Sequence, residues 1–303
     1  MITIRRAPVY ATIQDIGRHG FRASGVPRAG AMDQPAYETL NALLGNSERA
    51  AMIECALTGG EIEIGEPILF AFGGADATVS INGRLVTHYR VHVSKPGDVI
   101  AIDTITCGRF LYIAFAGGIE VPEVMGSCST YVPGGFGGFE GRRLKNGDVL
   151  QVSSVSRTRH HIAGTLPENL QPKRDNGTIR FIPRGSADEL TLSEWKLSSS
   201  SDRTGYRLAG QGVIGGASIT SEPVCPGVIQ LPPGGEPIIL MADAPTVGGY
   251  RILGTVITAD LGRLAQLAPG DPVVLEKTTV EVAQREIVAD AGRIEQVKEW
   301  TLG

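Results

Sequence analysis

The chain has 303 residues, of which 42% are apolar and 20% charged, with 40 glycines, 18 prolines and a formal net charge of −4. This length allows two domains, and the many turn residues favour a β-rich fold of short strands. Acidic and basic residues are interspersed, so no surface for nucleic acid is predicted, and no apolar run approaches the roughly 18 residues of a membrane span.

The cysteines and histidines form no recognisable metal or disulfide pattern. The four cysteines include no C-x-x-C pair, and none of the five histidines has a zinc-ligand partner at the usual spacing. No Gly-Lys dipeptide is present, which excludes a P-loop. The first ten residues lack the apolar core of a signal peptide. We therefore expect a cytoplasmic protein with reduced thiols, no metal site and no contact with membranes.

Residues 14–33, QDIGRHGFRASGVPRAGAMD, place glycine, arginine and aspartate in one loop. Glycine N–H groups and arginine forks suit an anion, so the segment predicts an anion-binding loop; the alternative is a turning loop with solvated arginines. Asp33 is then expected to cap an amphipathic helix, MDQPAYETLNALLGN, with Pro35 in its first turn. Glu54 alternates with apolar residues and is expected to face solvent on a half-exposed strand.

Turn signals continue along the chain. The segment VSINGRLV predicts a tight hairpin at Asn82-Gly83, and the related strings KPGDVI, KNGDVL and APGDPVVL predict repeated corner turns. Residues 157–177 are polar and without period, which favours a linker between two β-rich halves, 1–165 and 166–303. Beyond the linker, DELTLSEWKLSSS predicts a short second helix and residues 280–297 predict a third.

Two polar clusters follow in the second half. SDRTGYRL shares Arg-x-Gly-aromatic-Arg with RHGFR of the first half, and a buried strand runs directly into Asp243, Thr246 and Tyr250. An Asx-turn with a glycine-rich corner is the structural alternative at Asp243. If the clusters form a site, Arg18 is expected to converge with Arg203 or Arg207 and with Asp243. Loss of Arg203 or Asp243 is then expected to lower turnover and to spare thermal stability.

Taken together, ten colinear strings between about residues 10 and 275 resemble one family. They are TIQDIGRHGF, SGVPRAGAMD, LNALLGN, IECALTGG, AFAGGI, GSCST, GRRLKNGD, SDRTGYRLAG, PGVIQLPPGGEPIILMADAPTVGGY and AQLAPGD. Their order and spacing are similar to the allophanate hydrolase subunit 2 family, also called KipA-like or biotin-dependent carboxyltransferase-related proteins, which includes the C subunits of 5-oxoprolinase. One departure is that Arg251-Ile252 stands where the family usually has Pro-Lys.

The resemblance implies a mainly β fold of two β-barrel-like subdomains with a few short helices. The first, 1–165, would contain one amphipathic helix, and the second, 166–303, would be cyclophilin-like with a C-terminal helix. It also implies a subunit 1 (KipI-like) partner. The favoured function is a subunit of an ATP-dependent 5-oxoprolinase, which opens 5-oxoproline to glutamate with a KipI-like and a YcsF-like partner.

Two alternatives stay open at this point. One is the carboxyltransferase component of a urea carboxylase or allophanate system, with biotin carried on another protein. The other is a KipA-like, non-enzymatic antagonist of a kinase inhibitor. In every case this chain is expected to bind no cofactor itself, and in the oxoprolinase the complex uses ATP on a small amide substrate. The predicted catalytic residues are Asp15, Asp202 and Asp243, and the predicted substrate-binding residues are Gln14, Arg18, Arg203, Tyr206, Arg207, Gln230, Thr246 and Tyr250.

Overall fold

The computed structural model describes residues 1–153, 164–173, 178–211 and 218–302. The chain divides into two compact units: unit 1 comprises Met1–Arg18, Asp33–Pro172 and Ala291–Gly303, and unit 2 comprises His19–Met32 and Lys173–Asp290. The predicted boundary at 165/166 lies near one of these divisions. However, unit 2 also takes a loop from the first half, and unit 1 takes the second part of the C-terminal helix. Much of the predicted linker lies outside the described residues.

Unit 1 is built on antiparallel strands. They are β1 (Ile2–Arg6), β2 (Tyr10–Gln14), β3 (Met52–Ala56), β4 (Glu61–Ile64), β5 (Ile68–Ile81), β6 (Arg84–Val86), β7 (His92–Ser94), β8 (Val99–Phe115), β9 (Ile119–Glu120) and β10 (Val149–Val152). Their order is β2-β3-β8-β4-β1-β10-β9, with β5 pairing β6, β7 and β8. Alternating apolar residues from most of these strands form one buried core, as expected for sheets that curve around their inner face.

Two local structures that the sequence predicts in unit 1 are present. The hairpin between β5 and β6 turns at Asn82 and Gly83, with φ of 51° and 80°, the positive values that this turn requires. Helix α1 (Gln34–Leu43) begins at Asp33, whose carboxylate accepts a hydrogen bond from Ala36 N at 3.1 Å. The predicted hairpin and the predicted N-cap are both confirmed.

Unit 2 is built on a second sheet and a short ribbon. Its strands are β11 (Ile179–Pro183), β12 (Trp195–Leu197), β13 (Gly205–Gly210), β14 (Glu222–Pro223), β15 (Val228–Leu231), β16 (Ile238–Leu240), β17 (Val247–Gly248), β18 (Arg251–Val256), β19 (Pro272–Val273) and β20 (Leu275–Lys277). The sheet order is β19-β12-β13-β16-β15-β18-β11-β20, and β14 pairs only with β17 among the described residues. The mainly β prediction with two barrel-like sheets is confirmed.

Helices are few outside α1. They are α2 (Asp188–Thr191), α3 (Thr258–Ala265) and α4 (Val280–Leu302). Helix α2 is shorter than predicted, because Trp195 enters β12 and pairs with Gly210 and Val273. Helix α3 was not predicted. Among the described residues, none of these helices combines the length and the apolar composition that crossing a bilayer requires.

The three related turn strings have the same local structure. Asp98, Asp148 and Asp271 each accept a hydrogen bond from the backbone N–H three residues earlier, at 2.7, 2.7 and 2.8 Å. The aspartate side chain closes each turn before the next strand or extended segment. These strings are therefore corner turns, as predicted, and not functional sites.

Candidate functional site

Asp15 is buried at the end of β2 and holds a neighbouring loop. Its Oδ1 accepts hydrogen bonds from Gly17 N at 2.7 Å and from the hydroxyls of Ser127 and Ser129, and its Oδ2 accepts one from Cys128 N at 2.6 Å. Such charge-assisted bonds are the strong ones in a protein interior. Asp15 thus fixes the GSCST segment, whose two serines the sequence analysis did not single out.

Arg18 lies in the same cluster and is 1% exposed. Its Nη2 donates to Ser129 O at 2.6 Å, and its guanidinium carbon lies 4.9 Å from the centre of the Phe136 ring. Both contacts fix the side chain, because a planar guanidinium can donate along its edge and stack on an aromatic face. The solvated-arginine alternative is therefore wrong for Arg18.

Gln14 precedes Asp15 and is fully buried. Its Nε2 donates to Thr12 Oγ1 at 3.0 Å and to Thr130 O at 3.2 Å, whereas its Oε1 has no hydrogen-bond partner among the described residues. The two donated bonds fix which end of the amide faces Thr130. An unpaired buried acceptor therefore remains in this cluster of unit 1.

The surroundings of Cys128 disfavour the thiolate that a nucleophilic cysteine needs. Burial, followed by the negative charge of Asp15, raises the pKa of this thiol to about 11. Nucleophilic cysteines need the thiolate, which is favoured by positive rather than negative neighbours. The chemistry that this cluster supports is accordingly hydrogen bonding and charge recognition.

A second buried polar group in unit 1 was placed incorrectly from the sequence. Glu54 is 0% exposed, not solvent-facing, and accepts a hydrogen bond from Tyr112 OH at 2.7 Å across β3 and β8. The Tyr112 oxygen in turn accepts a bond from Asp33 N at 2.8 Å. Burial and the neighbouring Glu54 raise the pKa of Tyr112. Alternation of polar and apolar residues in β3 is misleading because all five residues of the strand are buried.

In unit 2, Arg203 and Asp243 form a buried pair. Arg203 is 6% and Asp243 4% exposed, and two bonds join them, Nε to Oδ2 at 3.0 Å and Nη2 to Oδ1 at 2.9 Å. Arg203 Nη2 also donates to Gly30 O at 2.7 Å. Because these opposite charges are buried and joined by two bonds, we predict, contrary to the expectation from the sequence, that loss of either residue lowers stability.

Three other predicted residues of unit 2 have separate surroundings. Asp202 is exposed and accepts bonds from Thr204 N and Gly205 N at 2.8 and 3.2 Å, so it forms an Asx-turn. Tyr206 is buried and donates to Ala265 O at 2.8 Å, whereas Arg207 is exposed. Arg203 and Asp243 are thus the predicted residues that the structure brings together directly. Arg18 belongs to unit 1, and its convergence with them stays a prediction.

The loop 19–32 is attached to the β14–β17 ribbon within unit 2. Arg22 Nη2 donates to the carbonyl oxygens of Pro245, at 3.1 Å, and Val224. Its Nη1 is buried without a hydrogen-bond partner among the described residues. Arg22 is one of the arginines in the 14–33 loop, but a sequence pattern cannot reveal this contact, because the two carbonyl groups lie more than 200 residues away.

Gln230, on β15, differs from the other predicted residues of unit 2. It is 4% exposed, and its Nε2 is buried without a partner in the part of the chain that the structure describes. Because buried amides are normally paired, Gln230 stays a candidate binding residue. Thr246 is partly exposed and contributes its carbonyl to Val224 N, and Tyr250 is 39% exposed.

The sequence profile of the carboxyltransferase domain, subdomain A and B, matches residues 24–277. The chain belongs to this carboxyltransferase domain family. The family resemblance read from the sequence strings is confirmed. The C subunit of 5-oxoprolinase from Escherichia coli (strain K12) is 39% identical over 294 residues, which cover 93% of this chain and 93% of that protein. The subunit of the same name from Haemophilus influenzae is 36% identical and is covered to 94%.

Other relatives in the carboxyltransferase domain family are much longer. Urea amidolyase of Saccharomyces cerevisiae is 31% identical over 90% of this chain but only 16% of that protein. The crystal structures of Kluyveromyces lactis urea amidolyase and urea carboxylase each superpose on the whole chain with a TM-score of 0.90 and 26% identity. The chain spans 20% and 29% of those two proteins.

Arg251, the position that the sequence strings marked as a departure, has an ion-pair partner at the surface of unit 2. Arg251 begins β18, and its Nη2 pairs with Glu189 Oε1 of α2 at 3.2 Å, with side chains 44% and 25% exposed. Exposed pairs of this kind contribute little to stability. Arg251 therefore lies at the surface of unit 2 in an ion pair.

Unit 1 of this carboxyltransferase domain also contains a cavity of about 200 Å³ beside α1 and the last turns of α4. It is lined by Ile16, Glu38, Asn41, Ala42, Asn46, Glu48, Ala291, Ile294, Glu295 and Lys298. Lys298 Nζ pairs with Glu48 at 3.0 Å and Glu295 at 2.8 Å, so the lining charges are partly matched internally. None of the predicted site residues lines this cavity. The described residues contain no group of three or more side chains suited to a metal ion.

Proposed function

We propose that this chain is a subunit of an ATP-dependent 5-oxoprolinase, which opens the lactam of 5-oxoproline to glutamate. The observation that carries the proposal is the near end-to-end match to the C subunit of 5-oxoprolinase from Escherichia coli, which covers 93% of both chains. In the urea amidolyases the matching region is less than a fifth of the protein. The match therefore extends over nearly the whole of that named subunit.

The chemistry divides the task between subunits. An amide carbonyl is a weak electrophile, and phosphorylation of its oxygen by ATP makes the carbon open to attack by water. The ring C–N bond then breaks, and a second water releases phosphate. Overall, 5-oxoproline, ATP and two waters yield glutamate, ADP and phosphate. The protein must hold the substrate carboxylate and stabilise charge that develops on oxygen. We assign substrate binding to this chain and leave ATP to the complex.

Within that proposal, the predicted residues divide into two roles. Neutral backbone and hydroxyl donors hold the Asp15 carboxylate, and Arg203 and Asp243 pair with each other. We propose these three as positioning residues for the loops that follow β2 and β16. Gln14 and Gln230 each have a buried amide atom without a hydrogen-bond partner in the described segments. We propose these two glutamines as substrate-binding residues, with Arg18, Thr246 and Tyr250 as further candidates.

A carboxyltransferase that acts on a urea-type amide is the second candidate. The superposition of the whole chain on Kluyveromyces lactis urea carboxylase, with a TM-score of 0.90, favours it. In that function a carboxyl group would pass from biotin on another protein to the amide nitrogen. The two candidates share an amide substrate but differ in the co-substrate.

Reconstitution distinguishes the two candidates. The chain is combined with a KipI-like and a YcsF-like partner, and glutamate and ADP are measured with ATP and 5-oxoproline. We expect equal amounts of both products from the complete set and none from this chain alone. A stable complex with the KipI-like partner, burying at least roughly 1,200 Å² in total, is expected on a sizing column.

The matched reaction contains a biotin carboxylase, a biotin carrier, bicarbonate and urea in place of the YcsF-like partner and 5-oxoproline. Carboxylated urea in this second reaction, with no glutamate in the first, would overturn the oxoprolinase proposal in favour of the carboxyltransferase. Turnover by the isolated chain would contradict the division of tasks between subunits.

A further inference from the structure

The amide nitrogen of Gln230 is enclosed in unit 2 without the hydrogen bonds that such a group normally makes. The residue is 4% exposed, and its Nε2 is buried without a hydrogen-bond partner among the described residues. Buried glutamine amides in folded proteins are almost always paired. A binding partner with its own donor and acceptor would complete the site.

The ribbon next to Gln230 has room for the amide because it contains glycine. A Cβ atom at Gly248, on β17, would lie 2.2 Å from Gln230 Nε2 and 3.4 Å from Oε1. Any other residue at this position would push the amide away. Since the amide is the far end of a flexible side chain, it could move without disturbing the strand, so the glycine serves the placement of the amide rather than the fold.

We propose that Gln230 binds a planar amide whose N–H and C=O lie on the same side, as in a lactam or a urea-type amide. A glutamine side chain presents one N–H and one C=O side by side, and two antiparallel hydrogen bonds join it to such a group. A trans peptide bond points its N–H and C=O in opposite directions and cannot form this pair. The proposal rests on the proposed function, and it applies to 5-oxoproline and to urea alike.

This pairing also explains how one fold can serve both kinds of relative. The named substrates of 5-oxoprolinase and of urea carboxylase differ in size and charge but share the same-side amide. One glutamine can recognise that common group, while other residues distinguish a carboxylate-bearing ring from a small neutral urea. We therefore assign Gln230 to binding the reacting amide of the substrate and not its carboxylate.

Direct binding to the full chain tests the assignment. The dissociation constants of 5-oxoproline, urea, N-methyl-5-oxoproline and N-acetylglycine are measured by calorimetry or ligand-observed NMR. We expect the wild-type chain to bind 5-oxoproline or urea at least tenfold more tightly than the two probes that lack a same-side N–H and C=O. In Gln230→Met that preference should disappear, with the tighter ligand weakened about tenfold or more.

Glycine variants separate this role from a structural one. Gly248→Ala should displace the amide and weaken binding as Gln230→Met does, with the melting temperature little changed. Gly249→Ala is the matched control, because its Cβ would meet its nearest neighbours at an ordinary 3.4 Å, and it should bind as the wild type does. If Gln230→Met or Gly248→Ala keeps the wild-type preference, the assignment is overturned.

The outcomes also separate this inference from the proposed function. A wild-type chain that binds none of the amide probes overturns the inference, whatever the complex does. A chain that shows the expected preference, in a complex that makes no glutamate, supports the inference and overturns the oxoprolinase proposal. Binding of urea without 5-oxoproline supports the same-side amide and points to the carboxyltransferase.

Discussion

Arg203 and Asp243 are buried in unit 2, and two hydrogen bonds join their opposite charges. We predict that Arg203→Ala or Asp243→Ala lowers the free energy of unfolding by about 3–5 kcal/mol, because a buried charge is left without its partner. Chemical denaturation of the purified variants measures this. Arg207→Ala, at an exposed position four residues along, is the control and should change stability by about 0.5 kcal/mol or less.

The double variant Arg203→Ala/Asp243→Ala completes the cycle. Its loss of stability should be well below the sum of the two single losses, since no lone charge remains. Additive losses would show that the two side chains act independently and would contradict the pairing. Turnover per folded molecule in the reconstituted complex then reports separately on any role in catalysis.

The sequence indicates which loops carry the candidate side chains but not how these side chains are paired. The strand ending at Asp243 and the loop containing Arg203 were both recognised, yet their two-bond contact spans 40 residues. The serines that surround Asp15 lie more than 110 residues away from it. Residue type and spacing cannot reveal such contacts, because the sheet topology decides which strand ends meet.

At the scale of elements, helix α3 is joined to β11 through Asp260. This carboxylate is 1% exposed and accepts bonds from Arg180 Nε and Nη2 at 3.0 and 2.8 Å, with Arg263 at 2.6 Å. Burial on its own raises the pKa of Asp260, but the hydrogen bonds from Arg180 and then Arg263 outweigh it, and the pKa lies below its usual value. The ionised form thus stabilises the folded state.

The lowered pKa of Asp260 determines how the stability of the protein changes with pH. Stability from Asp260 is fully present above its unfolded pKa of about 3.9 and is lost as pH falls through the lower folded value. We predict that Asp260→Asn is less stable than the wild type at pH 7 and that this difference shrinks as pH is lowered below about 4. Melting temperatures measured from pH 7 to pH 3 test it.

An exposed carboxylate provides the comparison for this titration. Glu276→Gln on β20 removes a negative charge from the surface of the same unit, and its stability should follow the wild-type curve within about 0.5 kcal/mol. A difference between wild type and Asp260→Asn that stays constant down to pH 3 would contradict the role of the ionised carboxylate.

Secondary-structure elements that neighbouring residues determine could be predicted from the sequence. Elements that depend on contacts with distant residues could not. Helix α1 has its own cap, and the hairpin has its own Asn-Gly turn, so each could be predicted from a few neighbouring residues. Helix α2 ends early because Trp195 pairs with β13 and β19. Helix α3 has eight residues, contains a glycine and buries a charged side chain, which conceals its amphipathic pattern.

At the scale of the whole molecule, unit 1 depends on residues from both ends of the chain. In the last turns of α4, Val297 is fully buried, and Arg293 Nη1 donates to Thr39 Oγ1 at 2.8 Å and to Leu170 O at 3.0 Å. We predict that a fragment of residues 1–172 is less stable than the same fragment joined by a short flexible linker to residues 291–303. Thermal unfolding of the two purified fragments measures the difference.

The expected gap is about 3 kcal/mol or more, from the burial of one valine and the recovery of two hydrogen bonds. The short linker is feasible because Arg293 and Leu170 are in direct contact. Equal melting temperatures would show that the helix end contributes nothing to unit 1. The predicted division of the sequence at 165/166 would have placed these residues with the second subdomain, since nothing in a helix pattern says which sheet it packs against.

The interleaved order of the two units has a consequence for the making of the protein. A ribosome releases the chain from its N-terminus, so residues 291–303 emerge only after the whole of 173–290 has been synthesised. The sheet of unit 1, made early and rich in pairings between distant residues, must wait for its final helical segment while the second sheet is still being extended. During that interval the surfaces that will receive Val297 and Arg293 are uncovered, so the incomplete chain exposes surface that the finished protein buries.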